Sequence, residues 1–446
     1  MDRLASKVRG TGGEVPGTGE ERFIFRGGKV VSPQTGKVKA WDVKVEAGKV
    51  TSVGPRLEPD GCQEIDCRGM HLAPGFIDLH CHLREPGFED AETIASGTRA
   101  ALSGGFTRVC PMPNTEPAID SEALVRFERH RAEEAGYARV HPVGCCTKGR
   151  QGKELAEIAA MKAAGAVAVS DDGKWVEDPQ VMRRVLEYCN SLDLPVISHC
   201  ELAGLGPGYA NESPVSTRLG INAVPDVAEA AAAARDILLA EFTGARLHVA
   251  HVSSARTVDV IRWAKARGAS VTAETCPHYF TLTEESLCGF DTSFRVNPPL
   301  RSEADRKAVI EAVIDGTIDC IATDHAPHTR QTKEVEFEAA PPGIIGFETA
   351  FPLGYAEFVL SGRLTLAQYI GRLTIAPAGI VGLREPKIEV GEEAEFVVLD
   401  LAAQWTYSPD LVMSKSLNSP FFERQLFGRV TGGIVAGEHF WLLHPA

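Results

Sequence analysis

The chain has 446 residues, 44% of them hydrophobic and 24% charged, and a formal net charge of −14. That length is too great for one small core and suits a large barrel carrying an accessory domain. The acidic balance argues against nucleic acid or an anionic membrane surface as partner, and no stretch reaches the roughly 18 apolar residues of a membrane span.

Residues 1–21 are polar and carry Gly10, Gly12, Gly13, Gly17 and Gly19. They lack the apolar stretch of a signal peptide and read as a disordered tail on a cytoplasmic protein. The eleven cysteines fit that compartment as buried free thiols. Cys110, Cys145, Cys146, Cys200 and Cys320 lie in apolar strand-like runs, and no C-x-x-C pair suggests a thiolate zinc knuckle.

Residues 22–72 alternate apolar and polar positions in short runs (23–25, 28–32, 42–46, 49–53), the pattern of a half-buried antiparallel sheet. Residues 385–446 return to that texture in 394–400 and 428–437. Each end alone is too small to bury a good core, so a joint β-sandwich of both termini is expected. Between them, 73–384 carries eight apolar runs, at 72–82, 107–113, 138–145, 166–172, 195–200, 246–252, 270–278 and 319–327. Helical patterns separate most of them: 120–134, 153–164, 179–191, 226–243 and 257–267. Eight β-then-α units predict a (β/α)8 barrel. A doubly wound open sheet would call for a Gly-rich turn after its first strand, and none is present.

Functional side chains of a barrel collect at the C-terminal ends of its strands. The first run ends in His80 and His82, whose i, i+2 spacing puts both imidazoles on one face of a strand, with Arg84 two residues further on. The fourth ends in Ser170-Asp171-Asp172-Gly173, the fifth in Ser198-His199-Cys200, the sixth in His248-Val249-Ala250-His251 and the eighth in Asp324-His325-Ala326-Pro327-His328. Singly, each has an ordinary explanation: a satisfied core histidine, a turn at Asp171–Asp172, a helix cap at Asp324. Together, four histidines and two aspartates at five strand ends predict one site for Zn²⁺ or another divalent transition metal. The planar fork of Arg84 suits a carboxylate on the substrate.

The segments that carry this pattern also carry a resemblance. They are Pro74-Gly-Phe-Ile-Asp-Leu-His-Cys-His-Leu-Arg-Glu-Pro-Gly87, Met112-Pro-Asn-Thr115, Ser170-Asp-Asp-Gly173, Ser198-His-Cys-Glu201, Ala250-His-Val-Ser-Ser254, Glu274-Thr-Cys-Pro-His-Tyr279, Val296-Asn-Pro-Pro-Leu-Arg301, Ala322-Thr-Asp-His-Ala-Pro-His328 and Gly343-Ile-Ile-Gly-Phe-Glu-Thr-Ala350. The chain resembles the bacterial dihydroorotases of the amidohydrolase superfamily over essentially its whole length after the tail.

The resemblance implies two Zn²⁺ ions per subunit, bridged by Asp172 and a hydroxide. His80 and His82 would hold one ion, His199 and His251 the other, and Asp324 would bind the first and act as general base and acid. Many relatives bridge their metals with a carboxylated lysine; here Asp172 stands at that position, and Lys174 falls past the glycine. His251 is chosen over His248, which is expected to pack behind the site. His82, Arg84, Asn114, Asn297, His328, Pro342 and Gly343 are the expected substrate contacts. The implied reaction is reversible closure of N-carbamoyl-L-aspartate to dihydroorotate in pyrimidine synthesis, by a homodimer that could associate with aspartate transcarbamoylase. Two other readings compete: a hydantoinase- or allantoinase-like cyclic amidase, and a non-catalytic scaffold for aspartate transcarbamoylase. Arg84 and the Ser-Asp-Asp-Gly run count against the first, and the full set of candidate ligands against the second.

Overall fold

The computed structural model describes residues 22–206, 208–435 and the backbone of 438–441; the expected tail at 1–21 lies outside them. Eight parallel segments build the barrel: Phe76–Cys81, Phe106–Pro111, 139–144, Ala168–Val169, Val196–Ser198, Leu247–Val249, Val271–Thr275 and Cys320–Ile321. Pro142 has no N–H to give the ladder, and the third segment is interrupted at His141–Pro142. The eighth strand returns to the first through Cys81 and His325, with His82 N–H donating to His325 O at 2.8 Å and Asp324 N–H to His80 O at 2.9 Å. That closure sets the two strands richest in candidate ligands side by side.

Helices cover the barrel because their apolar positions recur at helical spacing. Pro179–Ser191 starts at Asp178, whose carboxylate accepts from Gln180 and Val181 N–H, and it buries Val181, Met182, Val185, Leu186 and Cys189 against the strands. Similar patterns produce Glu122–Ala135, Val227–Thr243 and Ala255–Ala266. The helix expected over 153–164 is only Ile158–Ala164; the preceding residues form a loop that bonds back to Cys146 and Lys148. The inward side chains Ile77, Leu79, Cys110, Met112, Val143, Ala168, Ile197, Ala250 and Cys320 fill the barrel, so chemistry is confined to one mouth.

Both ends of the chain enter one sheet. His71–Pro74 pairs in parallel with Arg22–Ser32 and antiparallel with Phe396–Thr406, which in turn pairs with Gln425–Val435. Arg22–Ser32 runs through two of the expected short strands, with a register shift between Phe25 and Gly28 and Gly27 at φ 65°. This β-sandwich unit has its own core, with Phe23, Phe25, Val43, Val45, Leu72, Phe396 and Val398 among its members. A buried ion pair between Arg108 and Glu395 at 2.6 Å ties it to the barrel.

Between Phe396–Thr406 and Gln425–Val435 the chain leaves the sheet and reaches the barrel mouth, where Ser416 Oγ donates to Ala91 O at 2.7 Å and Asn418 Nδ2 to Ala326 O and Gly343 O at 3.0 Å each. All eleven cysteines are free, and ten are buried. Among the described residues, no helix is long and apolar enough to cross a membrane.

Candidate metal centre and substrate cavity

Every sequence-predicted site residue reaches one cavity of about 710 Å³ or the layer beneath it. His82, Arg84, Asn114, Asp172, His199, His251, Asn297, Asp324, His328, Pro342 and Gly343 line the cavity, and His80 is fully buried below. Asp172 is the hub. Its Oδ1 lies 3.3 Å from His80 Nε2, 3.6 Å from His199 Nδ1 and 3.6 Å from His251 Nε2; its Oδ2 lies 3.8 Å from His82 Nε2. Asp324 Oδ1 lies 3.1 Å from His82 Nε2 and 3.8 Å from His80 Nε2.

Neighbouring groups decide which imidazole nitrogens face inward. His80 Nδ1–H donates to Glu274 at 2.8 Å, His82 Nδ1–H to the Asn114 amide oxygen at 2.9 Å and His199 Nε2–H to Glu201 at 2.9 Å. Each bond leaves the opposite ring nitrogen as a lone pair aimed at carboxylate oxygens or at another imidazole; His199 Nδ1 and His251 Nε2 are only 2.8 Å apart. His80 Nε2 and Asp172 Oδ1 are buried without hydrogen-bond partners. Acceptors converging on acceptors are repulsive unless a cation lies among them, and outer groups of this kind are what orient metal-binding histidines. Two overlapping sets, His80–His82–Asp324 and His80–Asp172–His251, bring their ligand atoms close enough to share an ion. The donor set therefore fits a divalent metal centre.

The electrostatics agree. Burial disfavours charge on His80, yet Asp172 and Glu274 raise it well above the ordinary imidazole range. His199, desolvated but set between the Asp172 and Glu201 carboxylates, is raised to about 10. Burial works against ionisation of Asp324, but the His82 imidazole beside it and the His80 charge keep it below the usual carboxylate range. The carboxylates stabilise positive charge around His80 and His199, while burial and Arg84 lower His82.

Three of the residues have backbones that L side chains rarely adopt: Arg84 at φ 62°, His251 at 34° and Asp324 at 47°. Strain of this kind collects at functional positions, where surrounding bonds enforce it. Arg84 Nε donates to Pro327 O at 3.1 Å, and its Nη2 lies 3.3 Å from His328 Nε2. His328 Nε2–H donates to Pro342 O at 2.8 Å, and Asn297 Nδ2 donates to Glu201 at 2.9 Å. Asp171 turns away from the hub and accepts from Cys146 N–H and Thr147 N–H at 2.9 and 3.1 Å. His248 lies behind the site, 3.2 Å from Glu274 and 2.8 Å from Thr272 Oγ1.

Sequence reasoning missed four residues. Glu201 and Glu274 lie inside quoted motifs but, as non-ligands, gave no spacing signal. Arg150, which lines the cavity, and Asn418, which props its rim, lie outside every motif; only tertiary contacts bring them here.

A sequence model described as dihydro-orotase-like matches residues 69–257. The chain is 48% identical to the dihydroorotase of Syntrophotalea carbinolica over 93% of its own length and 98% of that protein. It is 44% identical to that of Ruminiclostridium cellulolyticum over 93% and 97%. Among solved structures it is similar to an L-hydantoinase from Arthrobacter aurescens, with TM-score 0.83, 23% identity and coverage of 94% and 95%. A dihydropyrimidinase from Brevibacillus agri NCHU1002 gives 0.82 and 24%, with 94% of each chain covered. At that identity the likeness speaks to fold alone, a barrel with a β-sandwich. The close relatives decide the rest: this chain belongs to the dihydroorotase family.

Proposed function

We propose that the chain is a zinc-dependent dihydroorotase that reversibly closes N-carbamoyl-L-aspartate to (S)-dihydroorotate in de novo pyrimidine synthesis. The observation that carries this reading is the pairing of a cation-demanding floor around Asp172 and Asp324 with an arginine fork, Arg84, in the same cavity. The floor suits hydrolysis of an amide, and the fork suits a substrate with a carboxylate.

His80, His82 and Asp324 would hold one zinc ion and His199 and His251 the second, with Asp172 between them. The chemistry supplied by such a pair, when bound, is polarisation of the ring carbonyl and a lowered pKa for the attacking water. Asp324, kept ionised by its histidine neighbours, accepts the water's proton through a carboxylate oxygen and hands it to the ring nitrogen as the C–N bond breaks. In the closing direction it takes the proton from the ureido nitrogen, and water leaves. Arg84, Asn114, Asn297 and His328 hold the substrate by its carboxylate and ring edge, and Pro342 and Gly343 contribute main-chain groups from the facing loop. Glu274 and Asn114 keep the His80 and His82 rings turned so that Nε2 faces the metals.

A cytoplasmic homodimer able to associate with aspartate transcarbamoylase completes the proposal. The testing experiment is turnover of L-dihydroorotate by zinc-loaded protein, with hydantoin and allantoin assayed beside it. Selective hydrolysis of dihydroorotate, lost on chelation and restored by zinc, is expected. Activity on hydantoin or allantoin alone would move the chain to the other cyclic amidases, and no activity on any of the three would favour the scaffold.

A further inference from the structure

The cavity contains a second arginine. Arg150 sits in the short turn Lys148–Arg150 after the third barrel strand. Gly149 and Arg150 both have left-handed backbones there, with φ 54° and 55°. Arg84, the other arginine of the cavity, shares that rare conformation at φ 62°. Glycine adopts it freely; two arginines do so only where surrounding contacts enforce it.

The contacts of Arg150 hold it beside the reacting centre without neutralising it. Its guanidinium Nη2 donates to the Asp172 main-chain oxygen, while its Nε is buried and has no hydrogen-bond partner. Gly173 clears the space: a Cβ there would lie 3.3 Å from Arg150 Nη2. Among the described residues, neither Arg84 nor Arg150 forms a side-chain ion pair, although most other arginines do. Of the carboxylates around Arg150, Asp171 is engaged with Thr147 and Asp172 faces the histidines of the floor. Arg84 faces the Asp324, Asp172 and Glu92 carboxylates as well as the Arg150 charge. Two cations that repel each other across an open cavity are a poor arrangement for stability and a good one for an anion.

We propose that Arg150 is a specificity-determining residue that, together with Arg84, makes the cavity favour the open dicarboxylate over the cyclic monocarboxylate. The inference rests on the dihydroorotase reading. N-carbamoyl-L-aspartate carries two carboxylates and dihydroorotate one, because ring closure consumes a carboxylate: the dianion and one proton give the cyclic monoanion and water. One fork suffices for the carboxylate common to both. The charge of the second arginine, which flanks the floor through its bond to the Asp172 main-chain oxygen, gains an anionic partner in the cavity only in the open form.

The test compares the parent enzyme with Arg150→Met and Arg150→Lys, each zinc-loaded and checked for metal content. In the hydrolytic direction, N-carbamoyl-L-aspartate is added as product inhibitor. Arg150→Met is expected to raise its Ki about tenfold and the KM for dihydroorotate roughly threefold or less, while Arg150→Lys recovers part of the Ki by keeping the charge. In the closing direction KM and kcat should rise together, since the reaction's equilibrium constant is unchanged. Equal changes in Ki and KM, or a drop in bound zinc that accounts for both, would reduce Arg150 to a prop for Asp172 and overturn the assignment. Failure of the parent to hydrolyse dihydroorotate would remove the underlying reading instead.

Discussion

The floor and the rim of the cavity are built on different principles. Floor residues His80, His82, Asp172, His199, His251 and Asp324 come from the ends of barrel strands, whose positions are set by parallel pairing and by the His82–His325 and Asp324–His80 main-chain bonds. The rim, residues 84–92 and 326–343, has no such ladder. It is held by side-chain donors: Asn418 to Ala326 O and Gly343 O and Arg295 to Phe337 O and Glu338 O at 3.0 and 2.7 Å, both from outside the rim, and Lys333 Nζ, within it, to Pro341 O and Gly343 O at 3.0 and 3.2 Å. The floor is therefore suited to holding reacting groups in fixed positions, and the rim to adjusting which substrate fits.

The sharpest break of that comparison is Asp324→Asn. It removes the proposed base from the floor and should lower kcat roughly a thousandfold with little loss of fold; steady-state turnover with circular dichroism as a control checks it, and normal turnover would remove the base assignment. Arg84→Met acts at the junction of floor and rim. The KM for dihydroorotate should rise about tenfold or more, with a smaller change in kcat, and an unchanged KM would take Arg84 out of the site.

A rim-only change is Asn418→Leu. Besides its two donor bonds, Asn418 accepts from His328 N–H at 3.1 Å. Losing two buried bonds and one part-buried bond should cost about 2–3 kcal/mol and raise KM several-fold while zinc content stays normal, measured by urea denaturation and metal analysis. A loss of zinc in this variant would show that floor and rim are not independent.

The smallest expected effect lies away from both. Burial, with help from Arg108, lowers His141 to about 4 from 6.5. Between those values the unfolded chain binds the proton and the folded chain does not, so this contribution to stability is complete above about pH 6.5 and is lost as pH falls toward 4. His141→Gln should flatten the fall in Tm between pH 7 and 5, and an unaltered slope would assign the acid sensitivity to other groups.

Much of the floor was legible in the chain itself. Strand periodicity places His80 and His82 on one face, and metal-capable residues recur at five strand ends because barrel chemistry is confined to that mouth. His251 lies just beyond the strand Leu247–Val249, at the mouth, whereas His248 is within it, bonded to Thr272 and 3.2 Å from Glu274. The motifs also selected Asp172 over Asp171, and the structure turns Asp171 away into a turn held by Cys146 and Thr147.

What the sequence determined by itself, then, is the repeating β-then-α pattern and the identity of the groups at the strand ends, because hydrophobic period and residue chemistry are local properties. Tertiary structure alone decided which imidazole nitrogens face inward, through Glu274, Glu201 and Asn114, and it alone brought Arg150 and Asn418 to the cavity. Those outcomes depend on contacts between residues far apart in the chain, such as Asn418 with Ala326 or His80 with Glu274. Their separation leaves no periodic trace, and only the closed barrel with its returning C-terminal segment makes them neighbours.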